Sequence, residues 1–461
     1  MSRRVVVERG ALSMAAALMD GPRLVDLEVV DLRQPPVTDT LFAARVERVD
    51  PQLNAAFLDL GEAGSAFLGA RDARPVTGTA ERLPISRLVR EGQKLLVQGL
   101  REPIGDKGPR VTADIKLFGF FVILRPFAGT PEIPGRLPAR DADAMRERAE
   151  RLFSGRGVVL RRSATTVEDS VLLAEAAMLG ERWVRLRAEA DGQRRPGRLP
   201  ADEPVLERLL RRFLDDRYGR VAAADPSVLA ELAGPLRARL EAAGVEVERL
   251  DTGRPAFVQT GVDEEIERAL ATEVAIPGGG TLRIEETAAC VAIDVDGGGR
   301  SPLDIDLAAI AEIARQLRLR NLGGTIVIDF VDLPGRQQRQ RVEDALRRAL
   351  RQDPVGVQQY PLSPLGIVQL SRSRRGASLA ARLCRPCPSC AGTGRAPSLT
   401  RVAEALLRDL AIPPAPPAIA VAADLAAYLR GAAAPAWDAL PARPRLQEDA
   451  ALPSGTWRRC S

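Results

Sequence analysis

The chain contains no histidine in 461 residues. That absence excludes a histidine general base, a Ser-His couple and every imidazole metal ligand. Chemistry here must run on carboxylates, metals, cysteines or arginine. Aromatic residues are scarce, at 4%, so those in strand-like stretches stand out. Lysine is nearly absent: Lys94, Lys107 and Lys116 fall in one early region, and the other basic residues are arginine. No long apolar run occurs, and the opening MSRRVVVERGALSMAAALMDG lacks the continuous apolar core of a leader. A membrane span is therefore not expected, and the default location is the cytoplasm. Disulfides are not expected either. Three of the five cysteines cluster at Cys384, Cys387 and Cys390, which points to metal in a reducing compartment.

What is present is a globular composition, 45% hydrophobic and 28% charged, in a chain long enough for several domains. The net charge of +5 is compatible with a nucleic-acid partner without requiring one. The stretch around which the rest is organised runs from Gly278 to Leu333. It holds two apolar runs that end in acid, TLRIEETAACVAIDVDGGG (281–299) and GGTIVIDFVDL (323–333), each bounded by glycine and each read as a buried strand. Between them Leu307, Ile310, Ile313 and Leu317 recur at helical spacing. Side chains alternate across a strand, so Asp294 and Asp296 share one face, while Asp329 lies opposite Ile326, Ile328 and Phe330. Carboxylates at the tips of neighbouring strands suit Mg²⁺, which takes one or two carboxylates and keeps its waters. The alternative is a set of solvated strand-end acids.

The segments AIDVDGG, EIARQLRLRNLGGTIVIDFVDL, LGIVQLSRSRRGASL and CPSCAGTG, in this order, resemble the catalytic half of the ribonuclease E/G family, with similarity from about Leu41 to Arg395. The resemblance implies an α/β multidomain chain. Residues 1–37 and 199–259 would form the two parts of an RNase H-like subdomain, which serves as scaffold. Residues 38–117 would form an OB-fold RNA-binding barrel and 118–198 a region sensing the 5′ end. Residues 260–378 would form a DNase I-like catalytic domain, 379–395 a zinc link and 396–461 a small C-terminal domain with one helix near 423–430 and a loose final dozen residues. The long Arg/Pro tail of the largest members is absent, which fits the short ribonuclease G-like type.

The resemblance also assigns residues. Asp294 and Asp329 would hold a catalytic Mg²⁺, with Asp296 a third carboxylate at the same site. On the barrel, Phe57 and Phe67 would stack bases and Lys107 would meet a phosphate; the alternative from the residues alone is that both rings fill the barrel core. For the 5′ monophosphate the family's Arg-Thr pair falls on Arg161, Arg162 and Ser163 in one of two registers. Arg372 and Arg374, at the end of LGIVQLSRSRR, would hold the substrate backbone; the alternative is a solvated basic face. Cys387 and Cys390 form a Cys-x-x-Cys knuckle. Structural zinc wants four ligands; Cys384, three residues before Cys387, is either a third ligand or a nearby thiol, and no separate Cys-x-x-Cys pair occurs elsewhere in the chain. Two copies giving two thiolates each predicts a zinc-linked homodimer, with pairing into tetramers open. The expected activity is Mg-dependent endonucleolytic cleavage of single-stranded RNA to 5′-phosphate and 3′-hydroxyl products, in RNA processing and decay.

Three departures from the family pattern leave a second class open. Asp296 stands where the family has Asn, Ala288 stands where it has Glu, and the loop after Asp296 is shorter. The alternative is a catalytically weakened member that acts as an RNA-binding protein.

Overall fold

The computed structural model describes residues 3–460 apart from 35, 77–82, 104–107, 135, 136, 138, 201, 202, 217, 235, 364, 375, 388, 389, 391 and 393. The chain divides into two units, Met1–Leu379 and Ala380–Ser461.

In the first unit, Arg3–Arg9, Ser13–Asp20 and Arg23–Asp31 form an antiparallel meander. Its first strand is buried at Val5, Val6 and Val7 and also pairs, in parallel, with Arg220–Ala223; that strand pairs with Glu246–Arg249. The short Val-rich N-terminal piece thus takes its core from residues more than two hundred positions later. The sequence pattern of 199–259 reads as helical, and these two strands interrupt it. Val221, Ala222 and Ala223 are all fully buried, so the run shows no alternation by which a strand could be recognised.

Five strands, Leu41–Asp50, Ala55–Asp59, Ser65–Gly69, Lys94–Arg101 and Arg110–Thr112, pair in a ring that closes between Leu41–Asp50 and Lys94–Arg101. This is a closed, OB-like barrel. Phe42, Val46, Ala56, Leu58, Leu68, Val97 and Val111 fill it. A small three-stranded sheet (Leu117–Phe118, Val122–Leu124 and Val158–Leu160) follows, with helices Ala139–Phe153 and Asp169–Gly192. On the second helix the buried Glu175 carboxylate accepts three consecutive backbone N–H groups, from Phe120, Phe121 and Val122, at 2.7, 2.8 and 3.0 Å.

The last sheet of this unit has the order Glu273–Ala275, Thr281–Glu286, Val291–Asp296, Gly324–Asp329, Ile367–Arg372, Val357–Gln359. The stretch 281–299 is therefore a hairpin of two strands rather than the single strand its apolar content suggests. Thr287 closes the turn by donating its hydroxyl to the Cys290 carbonyl at 2.8 Å. Helices Pro302–Leu319 and Arg336–Leu350 cover one face. Ile293, Val295, Ile326 and Ile328 from the sheet pack with Ile310, Ile313, Val342 and Leu346 from the helices. On the other face the charged side chains Asp294, Asp296 and Asp329 are exposed.

The covering helix is tied to the meander by buried ion pairs. Arg318 bonds Asp216 through both guanidinium nitrogens at 2.7 Å and Asp26 at 2.9 Å, while Arg212 reaches Asp26 at 3.2 Å. Burial alone would push Asp26 up, but Arg212 and Arg318 hold its carboxyl below the usual range. Arg315 joins Glu312 at 2.7 Å and Glu265 at 3.3 Å on the same helix surface.

In the second unit, helix Leu399–Leu410, helix Ala423–Arg430 and the short helix Ala434–Asp438 accompany three strands in the order Arg445–Glu448, Ala418–Val421, Trp457–Cys460. The final residues are not loose, contrary to the sequence expectation. Trp457–Cys460 pairs antiparallel with the buried strand Ala418–Val421, and that pairing satisfies the strand's backbone. Among the described residues no helix is long and apolar enough to cross a membrane.

One buried acid lies beneath the open sheet. Asp306, in the first turns of Pro302–Leu319, is fully buried; its Oδ1 accepts the Val331 N–H at 3.1 Å, and its Oδ2 has no partner among the described residues. Burial raises its carboxyl to about 7. The folded chain thus keeps a proton that the unfolded chain releases near the ordinary value of 3.8, so stability falls as pH rises from about 4 to about 7 and then levels. Asp306→Asn, which stays neutral, is expected to gain on the parent across that window, by up to about 4 kcal/mol at pH 8. Chemical denaturation of both proteins at pH 4.5 and pH 8 checks this; an equal gap at the two pH values would refute it.

Candidate functional site

The geometry of the open face follows from strand alternation and register. In Val291–Asp296, Val291, Ile293 and Val295 point into the core, leaving Asp294 and Asp296 exposed. In Gly324–Asp329, Ile326 and Ile328 are buried and Asp329 is exposed. The two strands are parallel neighbours, and their register sets Asp294 directly beside Asp329. Adjacent strands lie about 4.8 Å apart, so two like charges stand side by side, an arrangement that is unfavourable without a cation. Neither carboxylate has a hydrogen bond or ion pair to a described residue. The nearest cation in register, Arg283 opposite Asp294, is bonded to Glu273 at 2.5 Å. A pair of unneutralised hard oxygen donors on a solvent-facing surface fits a divalent cation such as Mg²⁺. Sequence reasoning did not single out Arg283; only the pairing of Thr281–Glu286 with the 294 strand brings it there.

Asp296 sits two residues further along the same face, opposite Thr281. Its Oδ1 accepts the Gly298 N–H at 3.1 Å, so it also starts the glycine turn that follows.

Phe57 and Phe67 are register partners on adjacent barrel strands, with ring centroids 6.1 Å apart and nearly perpendicular. Neither ring is in the barrel core; both are half-buried on the outer wall, because Ala56, Leu58, Ala66 and Leu68 take the inward positions. The Arg48 guanidinium lies 4.6 Å from the Phe57 ring, and Arg110, anchored to Asp72 at 2.6 Å, lies 5.8 Å from Phe67. Lys107 lies outside the described residues.

Three predicted phosphate ligands require correction. Arg161 is spent within the fold. It donates to the Gly119 and Arg211 carbonyls at 3.0 Å each and pairs with Asp215 at 2.9 Å, leaving its side chain 10% exposed. Its neighbour Arg162 instead lines a cleft of about 500 Å³ with Arg347, Arg351 and Gln359. The Ser163 hydroxyl donates to the Phe120 carbonyl at 2.7 Å, which pins the turn. Arg372 is 2% exposed and bonds both oxygens of Asp353 at 2.9 and 3.1 Å, so its guanidinium is spent inside the fold at the end of its strand. Arg374 is exposed, but it follows the end of the strand that pairs Arg372 with Gly324. Asp329 is five residues away along that strand, about 17 Å. The basic strand end and the acids therefore occupy opposite ends of the sheet.

In the second unit Cys384 and Cys387 are exposed and Cys390 is half-buried, on a segment without regular structure. Among the described residues no group of three or more metal-ligating side chains is gathered within the chain.

These features agree with what the chain is similar to. A family model described as the ribonuclease E/G family matches residues 116–375. The protein named ribonuclease G of Salmonella typhimurium (strain SL1344) is 30% identical over 431 residues, covering 89% of this chain and 88% of that protein. Ribonuclease G of Escherichia coli (strain K12) is likewise 30% identical over 431 residues. Ribonuclease E of Escherichia coli (strain K12) is 32% identical over 414 residues, covering 86% of this chain and 39% of that protein.

Proposed function

Because the chain belongs to the ribonuclease E/G family, we propose that it is an endoribonuclease of RNA processing that cuts single-stranded RNA at Asp294 and Asp329. The observation that carries this reading is the in-register, unneutralised carboxylate pair on the open sheet face. Water adds to phosphorus as the P–O3′ bond breaks, leaving a 5′-phosphate and a 3′-hydroxyl. Asp294 and Asp329 would hold Mg²⁺, which supplies positive charge against the phosphoryl oxygens and a polarised water. Asp296 adds negative charge on the same face and shapes the glycine turn beside it. The barrel wall receives the strand. Phe57 and Phe67 offer their faces to unstacked bases, and Arg48 and Arg110 flank the rings, an arrangement that selects single strands over duplex.

The cleft lined by Arg162, Arg347 and Arg351 would receive a 5′ monophosphate, a reading supported by three arginines lining one concave surface, with Arg347 also paired to Asp344 at 2.7 Å. On this reading Arg162 meets the phosphate and Arg161 supports the turn. Cys387 and Cys390 supply two thiolates, half of a tetrahedral zinc site, and a second copy of the chain supplies the other half.

Asp294→Asn and Asp329→Asn are each expected to lower Mg-dependent cleavage of a 5′-phosphorylated oligoribonucleotide by at least ~10³-fold while leaving its binding intact. A parent protein that binds single strands yet never cuts them, at any Mg²⁺ or Mn²⁺ concentration, would instead be an RNA-binding member of the family. Arg162→Gln is expected to erase the rate advantage of a 5′-monophosphate over a 5′-hydroxyl substrate without slowing the hydroxyl substrate; an advantage that persists would remove the cleft from the mechanism. Cys387→Ser with Cys390→Ser should shift the sedimenting species from dimer to monomer and release zinc. Purified dimer free of zinc by elemental analysis would sink the shared site.

A further inference from the structure

A second basic cleft, of about 110 Å³, opens where the barrel meets the end of helix Asp169–Gly192. Arg45 and Lys94 line it from the barrel, and Arg194 and Arg195 line it from the segment after the helix. None of the four has a carboxylate within ion-pair distance among the described residues. The acid in the wall, Asp191, lies 4.0 Å from Arg187, one helical turn back. Arg45 and Lys94 make only long contacts to backbone carbonyls, to Gly92 at 3.5 Å and to Gln193 at 3.4 Å. Four cations therefore line one concave surface against a single lining acid, Asp191, with Asp59 beside Arg45 in register.

The walls are fixed. Gly197–Arg198 pairs antiparallel with Leu41–Asp50, setting Gly197 opposite Ala43, and Leu199 donates to the Leu41 carbonyl at 2.9 Å. The approach is so close that a Cβ on Gly61 would lie 2.5 Å from the Pro196 carbonyl oxygen. Arg194 and Arg195 are thus held against the barrel by the two residues that follow them.

The cleft is also continuous with the aromatic wall. Lys94, Arg45 and Asp59 form one row across three barrel strands, and Arg48, Phe57, Phe67 and Arg110 form the adjacent row. Rows two residues apart on a strand are separated by about 7 Å. A strand whose bases rest on Phe57 and Phe67 therefore reaches Arg45 and Lys94 within a short further run of backbone. Cations lining a groove beside stacking aromatics are how single-stranded nucleic acid is held without regard to sequence.

We propose that Arg45, Lys94, Arg194 and Arg195 form a phosphate-binding cleft for the backbone of single-stranded RNA, carrying the strand off the barrel wall towards the end of helix Asp169–Gly192. The inference rests on the RNA-binding reading of the barrel and lengthens its footprint.

The test uses the full-length protein and fluorescein-labelled oligouridylates of about 4 and roughly 16 nucleotides, the range of site sizes for such barrels. Anisotropy titrations at several salt concentrations compare the parent with Arg194→Gln/Arg195→Gln. Each phosphate contact on a single strand contributes about 0.7 to the slope of log K against log salt, so losing two should flatten it by ~1.4. Affinity for the long oligomer is expected to fall about tenfold at moderate salt, with the short oligomer little changed. Arg194→Lys/Arg195→Lys should keep the parent slope. Arg249→Gln/Arg254→Gln removes the same net charge from residues that line neither site, and should also keep it. An unchanged slope in the Arg194→Gln/Arg195→Gln protein, or an equal flattening in the Arg249→Gln/Arg254→Gln protein, overturns the cleft while leaving RNA binding standing. A parent that binds neither oligomer at any salt concentration ends both readings together.

Discussion

The parallel pairing of Val291–Asp296 with Gly324–Asp329 is the constraint on which the site depends. Two carboxylates beside each other repel, and a chain free to relax would separate them. Here the backbone ladder fixes the register, and the apolar side chains beneath it resist a slip. Moving either strand by one residue would turn Ile293 or Ile328 to solvent and its aspartate into the core. The repulsion is held in place by burial on the opposite face, which leaves the carboxylates suited to an ion.

That burial depends on helix Pro302–Leu319, which connects the two strands and covers them. The helix is fixed at both ends by different means. Near its start the buried Asp306 holds the Val331 N–H, two residues beyond Asp329. Near its end Arg318 and Arg315 bind acids contributed by the N-terminal meander and by residues 216 and 265. Replacing one member of such a network leaves a buried charge without a partner, so it ties the orientation of the covering helix to a sheet built from distant parts of the chain. The outer barrel wall is built otherwise: Phe57 and Phe67 are half-buried against each other with Arg48 over the Phe57 ring, and Arg45 and Lys94 are exposed.

Arginine shows most clearly where sequence reasoning stops. Arg161, Arg162, Arg372 and Arg374 look equivalent as text, each near an apolar strand. In the fold Arg161 and Arg372 are paired with Asp215 and Asp353, while Arg162 is half-buried at a cleft and Arg374 is exposed. A carboxylate from another segment decides which guanidinium is tied into the fold, and no local pattern announces it. The strands Arg220–Ala223 and Glu246–Arg249 were illegible for a related reason. Val221, Ala222 and Ala223 are buried in succession and Glu246–Arg249 is mostly exposed, so neither short strand shows a two-residue period. The closing strand Trp457–Cys460 looked like a terminal tail because its partner, Ala418–Val421, lies in an alanine- and proline-rich stretch.

The amino-acid order alone determined the chemistry available. The absence of histidine left carboxylates, metals, cysteines and arginine, and the alternation in VAIDVD and TIVID already put Asp294, Asp296 and Asp329 on solvent-facing sides of strands. Those are local properties, set by the two-residue period of a β-strand. Which carboxylates meet, which arginines remain outward and which cations gather into clefts were decided only by the tertiary structure. They depend on register and on contacts between residues far apart in the chain, and no short-range pattern encodes either.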